Sequence, residues 1–193
     1  MRVLVLYCHP NPESYGAALH RAVVDALAAA GHVVDDCDLY AEGFDPVLSR
    51  QERLGYHDLV TNTAPVQTHV DRLKAAEALV LVFPVWNFGL PALLKGYLDR
   101  VFLPGVSFGL VDGRTQGLLT HIRRIAVVTT YGASRWRAFL MGDPPRRFCT
   151  RVLRAVTRFS ASVTYLAHYD MNRATDATRT AFLAEVRARL ARL

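Results

Sequence analysis

Apolar positions along the chain follow two rhythms. Five short stretches are nearly continuous in apolar and β-branched residues or flanked by them: RVLVLY (2–7), VVDDCDLY (33–40), ALVLVFP (78–84), RIAVVTTY (124–131) and SVTYLAHYDM (162–171). Their lengths predict β-strands. Between them, helical spacing predicts helices over Ala17–Ala30, Val66–Ala76, Pro91–Phe102, Arg146–Thr157 and Thr175–Leu193. Strand and helix alternate throughout, so each crossover lays a helix on a parallel sheet and both faces are covered. No repeat or linker interrupts the pattern. The expectation is a single doubly wound α/β domain over 1–193, with five strands in the flavodoxin-like order 2-1-3-4-5.

In such a sheet, ligands bind beyond the carboxyl ends of the strands, where the winding reverses. The first, third and fourth strands end in YCHPNPESYG, FPVWNFG and TTYGAS. In the first loop, Ser14, Tyr15 and Gly16 open a helix, whose free N–H groups and dipole suit an anion. Taken alone, Ser14 reads as a helix cap. The second loop presents Trp86 and Phe88 with the amide of Asn87 between them, and Pro91 starts a helix beyond Gly89. The third combines Thr129, Thr130, Tyr131 and Gly132, where backbone N–H groups can face negative charge. There is no G-x-x-x-x-G-K-[ST] and no G-x-G-x-x-G. Together the loops describe a ligand with a phosphate, a flat ring and an anionic edge, which is a flavin.

Composition adds limits. The chain has 193 residues, 51% of them apolar, and no apolar run nears the ~18 residues of a membrane span. The predicted location is the cytoplasm, and nothing in the sequence supports membrane association. Cys8, Cys37 and Cys149 lack metal-finger spacing and read as buried free thiols, with no metal expected. Charge divides unevenly: residues 1–96 hold 7 Lys/Arg against 11 Asp/Glu, and residues 97–193 hold 16 against 6. Because the basic residues are nearly all Arg, a solvated Arg-rich face is favoured over a nucleic-acid surface. Some of these arginines are candidates to meet a dinucleotide phosphate.

The pieces VLVLYCHPNPESYGAAL, DLYAEGFDPVLS, LVFPVWNFGLPALLKGYLDRVF, PGVSFGL, AVVTTYGAS and the closing ATDATRTAFLAEVRARL resemble the flavodoxin-like NAD(P)H:quinone oxidoreductases. The resemblance implies a homodimer with its active site at the interface, FAD (or FMN) as cofactor, NAD(P)H as co-substrate and a quinone-like acceptor. It places His9, Ser14, Tyr15, Gly16 and Ala18 around the flavin phosphates. Pro84, Val85, Trp86, Asn87 and Phe88 then pass along the isoalloxazine, and Thr129, Thr130, Tyr131 and Gly132 lie near its N1 and O2 edge. Asp99 and Arg179 match positions that reach the adenosine part of FAD across the dimer.

Asn87, Tyr131 and Arg137 are the catalytic candidates, and Trp86, Phe88 and Trp136 are expected to face the acceptor, together with Phe108, whose position resembles an aromatic that closes the pocket from the neighbouring subunit. One departure stands out. The larger quinone reductases carry a tyrosine and a histidine after the third loop, whereas this chain reads GASRWRAFLMGDPP with no His. Arg135 or Arg137 is the expected substitute, as a fixed positive charge. A flavodoxin-type electron carrier and a regulatory flavoprotein subunit of a potassium efflux system remain alternatives.

Overall fold

Strands with apolar side chains on both faces need helices above and below, and the chain supplies them in turn. The computed structural model describes residues 1–193. In chain order the elements are β1 (Arg2–Tyr7), α1 (Tyr15–Ala29), β2 (Val33–Asp38), α2 (Arg50–Leu54), α3 (Gln67–Ala75), β3 (Ala78–Val85) and α4 (Ala92–Val101). There follow β4 (Phe108–Val111), β5 (Arg114–Gly117), β6 (Arg124–Tyr131), α5 (Arg135–Leu140), α6 (Pro144–Arg147), α7 (Leu153–Ala155), β7 (Ser162–His168) and α8 (Asp176–Leu190). The sheet runs β2-β1-β3-β6-β7, all parallel. Counting only these strands, that is the expected 2-1-3-4-5 order.

The two-residue alternation of the pleat divides the interior. Val3, Val5 and Tyr7 of β1 face one way, onto α1 (Leu19, Val23, Leu27) and α8 (Phe182, Val186, Leu190). Leu4 and Leu6 face the other way, onto α3 (Val70, Leu73), α4 (Leu94, Tyr97, Val101) and the Cys149–Leu153 segment. Serines finish the loops that follow two central strands: Ser14 caps α1 by accepting from Ala17 N–H, and Ser134 caps α5 by accepting from Arg137 N–H. Thr175 caps α8 in the same way. None of the helices is long and apolar enough to cross a membrane.

Several expectations need correction. β4 and β5 form an antiparallel hairpin that the strand reading missed, although its turn, Asp112-Gly113, has both residues at positive φ and is a standard hairpin signal. The helix expected over 146–157 is broken: Pro144 starts α6, and a π-helical turn over Phe148–Val152 separates it from α7. The second strand stops at Asp38, whose carboxylate accepts from the N–H groups of Tyr40 and Ala41 and turns the chain. The last strand stops at His168, before Asp170 takes a left-handed φ of 60°.

Candidate active site

At the end of β1 the chain makes a tight loop held by its own polar groups. Asn11 N–H donates to His9 Nδ1 at 3.0 Å, which leaves Nε2 of the neutral ring as the protonated nitrogen. Glu13 N–H donates to Asn11 Oδ1, and the Glu13 side chain is exposed, as expected. Ser14 Oγ takes the N–H of Ala17, so the N–H groups of Tyr15 and Gly16 are left facing outward at the helix start. At Gly16 a Cβ would stand 3.2 Å from His9 Cδ2. The glycine therefore keeps this helix start open against the imidazole. Tyr15 donates from its hydroxyl to the Arg179 carbonyl at 3.0 Å and ties the loop to α8.

β3 leaves the sheet at Pro84 and Val85 and folds back through a two-residue turn. Trp86 and Gly89 exchange backbone hydrogen bonds, while Asn87 (φ 49°) and Phe88 (φ 55°) both lie in the left-handed region. For a phenylalanine this conformation costs on the order of 1–3 kcal/mol and marks a constrained turn. Trp86, which opens this turn, is 42% exposed, with its ring centroid 6.1 Å from that of His9. The first two loops thus meet.

β6 ends beside them, with Thr130 in register with Pro84 and Tyr131 with Val85. Thr129 is fully buried with an unpartnered hydroxyl, Thr130 is half-buried and Gly132 is exposed. Tyr131 enters the site through its backbone only. Its side chain is 1% exposed and its hydroxyl donates to Asp143 Oδ1 at 2.6 Å, within 2.6 Å of the Tyr165 hydroxyl. Burial first, and then the neighbouring Tyr165 and Asp143, push this phenol far above its ordinary pKa.

A cavity of about 460 Å³ opens between the second and third loops, lined by Phe88, Gly132, Ala133, Arg137, Leu140, Met141 and Asn172. A second, more polar one of about 240 Å³ adjoins it across Gly132 and Arg137, reaching Ser134, Asp170, Asn172 and Arg173. Asn172 and its neighbours were not foreseen. They follow the last strand, and only the left-handed turn at Asp170 brings them back over Gly132.

Other expected residues lie apart. Trp136 is 65% exposed and stacks on Phe139 along the outer face of α5. Asp99 pairs with Lys95 on α4, and Arg179 pairs with Asp176 on α8, so within one chain they sit on opposite faces of the sheet. Phe108 lines two further cavities, of about 530 and 250 Å³, with Val152 and Val156. The three cysteines are buried, and burial pushes each thiol up to about 12.

The fold and these loops define a flavodoxin-like protein. The family described as flavodoxin-like fold, Flavodoxin_2, matches residues 1–193, and the chain belongs to it. Among its relatives is the ribosyldihydronicotinamide dehydrogenase-like protein traD of Penicillium crustosum, 33% identical over 68% of this chain and 58% of its own length. An uncharacterized NAD(P)H oxidoreductase of Haemophilus influenzae is 35% identical over 63% of this chain and 60% of its own. The chain thus spans about 60% of the length of these relatives. Among solved structures, Smu.1420 of Streptococcus mutans UA159 superposes with a TM-score of 0.87 at 26% identity, each chain covered completely.

Proposed function

We propose that the protein is a flavin-dependent NAD(P)H oxidoreductase that reduces a quinone or a similar flat acceptor by two electrons. The observation that carries this reading is the cavity between the second and third strand-end loops, beside the strained turn at Asn87 and Phe88, with the first loop brought against the second where His9 approaches Trp86. The residues present suit a flavin. Gly16 keeps the start of α1 open beside His9, and the buried Thr129 hydroxyl has no partner. A flavin, when bound, supplies the two-electron chemistry that no side chain here provides.

In this reading the N–H groups of Tyr15 and Gly16, with His9 and Ala18, hold the phosphates. Pro84, Val85, Trp86, Asn87 and Phe88 line the ring, with Asn87 contributing polar contacts from its strained turn. Thr129, Thr130, Gly132 and the backbone of Tyr131 face the ring's anionic edge, and Arg137 holds a fixed positive charge beside them. Such donors, in place before the reaction, stabilise charge where it develops. NAD(P)H gives up two electrons and a proton, and a quinone leaves as hydroquinone with a second proton from solvent.

A second copy of the chain is expected over Phe108, where Leu110, Val152 and Phe159 are exposed around apolar cavities. Trp136 is assigned to acceptor binding and Asp99 and Arg179 to the adenosine part of FAD. The resulting preference is FAD over FMN.

The test is the visible spectrum after flavin supplementation, followed by anaerobic NADPH. Flavin absorbance that bleaches within seconds and returns with a quinone is expected, and mass analysis of the released flavin distinguishes FAD from FMN. Bound flavin that NADPH fails to bleach would overturn the reductase reading, and absence of bound flavin would overturn the site.

A further inference from the structure

Away from the three loops, β2, the turn after it and α3 bring together a cysteine, a glutamate and a histidine. Cys37 Sγ lies 3.7 Å from Glu42 Oε2 and 4.0 Å from His69 Nδ1, and those two atoms are 4.0 Å apart. In a tetrahedral zinc site, metal–ligand bonds of about 2.0–2.3 Å put neighbouring donor atoms roughly 3.3–3.6 Å apart. The three donors need only draw in by a few tenths of an ångström.

We propose that Cys37, Glu42 and His69 bind one thiophilic divalent cation of the Zn²⁺ class, with water completing a tetrahedral site. The mixture of sulfur, imidazole and carboxylate is one that Zn²⁺ takes, while Mg²⁺ and Ca²⁺ prefer oxygen donors alone. The Cys37 thiol passes its proton to solvent as the metal–sulfur bond forms.

The surroundings are arranged for it. The ring of His69 is held edge-to-face by Phe44 at 4.9 Å and Tyr97 at 5.5 Å, which fixes the plane of its nitrogens. Arg72 donates to both Glu42 oxygens at 2.8 Å and pairs with Asp35, so the carboxylate is already oriented by a neighbour. Tyr97, whose ring packs against His69, is fully buried and its hydroxyl has no hydrogen-bond partner. With the thiolate, Glu42, Asp35, Arg72 and a dication together, the cluster carries no net charge. Glu42 is exposed and provides the way in.

The site clamps an edge strand of the sheet to α3, independently of flavin. Its test uses the full chain freed of metal by chelation and then titrated with ZnCl₂ in a calorimeter and with CoCl₂ in a spectrophotometer. Expected are one ion per chain, a zinc-dependent rise in Tm, and for Co²⁺ both a thiolate charge-transfer band and the strong visible bands of tetrahedral coordination. His69→Gln and Glu42→Gln, both on the accessible side of the cluster, should weaken zinc binding at least tenfold. Cys37→Ser should abolish the charge-transfer band, while Cys149→Ser should leave it intact. No saturable zinc binding by the wild type, or a charge-transfer band that survives in Cys37→Ser, would overturn the proposal. So would wild-type affinity in a folded His69→Gln.

Discussion

The hydroxyl of Tyr131 donates to the carboxylate of Asp143 across 2.6 Å, joining the end of β6 to the left-handed residue that precedes α6. Tyr165 lies 2.6 Å from the same hydroxyl, and Tyr169 donates to the other Asp143 oxygen at 3.4 Å. With one proton on each hydroxyl, Tyr165 donates to Tyr131 and Tyr131 to Asp143. This chain holds the segment after the third loop against the sheet.

These hydrogen bonds assign Tyr131 to positioning the loop in the proposed reading, and a single substitution tests it. Tyr131→Phe removes one donor from a partly buried carboxylate and should cost about 1–3 kcal/mol of stability, read by urea unfolding. Flavin reduction by NADPH should stay within about twofold of wild type, since the loop's backbone is retained. A large loss of rate at unchanged stability would place the phenol in the chemistry.

Arg100 and Glu52 connect α4 to α2, and so brace the helix that follows the strained turn. Arg100 Nε donates to Glu52 Oε1 at 2.8 Å, and Ser49 N–H donates to Glu52 Oε2 at 2.9 Å. Burial alone would raise the Glu52 pKa, but the hydrogen bonds from Ser49 and the charge of Arg100 outweigh it and hold the carboxyl below its ordinary value. A depressed folded pKa gives stability that is fully present above the unfolded value, about 4.3, and is lost as pH falls through the folded one. Glu52→Gln should be less stable than wild type by about 1–3 kcal/mol at pH 7, and the gap should close on acidification below the folded pKa. Denaturant midpoints across that range provide the check, and a gap independent of pH would refute the assignment.

How far these relations are legible in sequence depends on their range. The strands, the two helical layers and the three loops follow from local rhythm, because apolar spacing and Pro-Gly punctuation are short-range properties, and the strand order then follows from the topology that alternating strands and helices favour. The left-handed pair Asn87-Phe88 was not foreseen, since a phenylalanine gives no hint of positive φ and only the Trp86–Gly89 bridge imposes it. Asn172 was missed because it joins Gly132 from 40 residues along the chain. The hairpin over 108–117 was legible through its Asp-Gly turn, but its four-residue strands, apolar FGLV and polar RTQG, are too short to show alternation. The fate of the Tyr131 side chain rests on Asp143, whose direction is set by a backbone twist that composition does not encode.

Gly96 of α4 lies against the backbone of Pro46. A Cβ there would fall 2.3 Å from Pro46 Cβ and from its carbonyl oxygen. Backbone cannot retreat as a flexible side chain would, so Gly96→Ala forces α4 away from the 44–48 segment. The better helix propensity of alanine, worth about 1 kcal/mol, is outweighed by overpacking that costs about 1–3 kcal/mol or more. A net fall in Tm is expected, and a rise would show that this segment yields freely.

Arg137 lines both cavities beside Gly132, one of them shared with Phe88 and both with Asn172. A guanidinium is protonated throughout the neutral range, so its charge does not vary as a histidine's would. If this charge stabilises the reduced state, Arg137→Met should slow anaerobic flavin reduction by NADPH by about ten- to a hundredfold, in the range found for the loss of one oriented donor. Arg137→Lys should recover part of the rate, because it restores charge without the planar fork. The bound flavin should also become harder to reduce in the Met variant, a shift in potential that loss of packing alone would not produce. An unchanged rate and potential in Arg137→Met would remove the arginine from the mechanism and leave the backbone N–H groups of the third loop as the remaining stabilisers of the anionic edge.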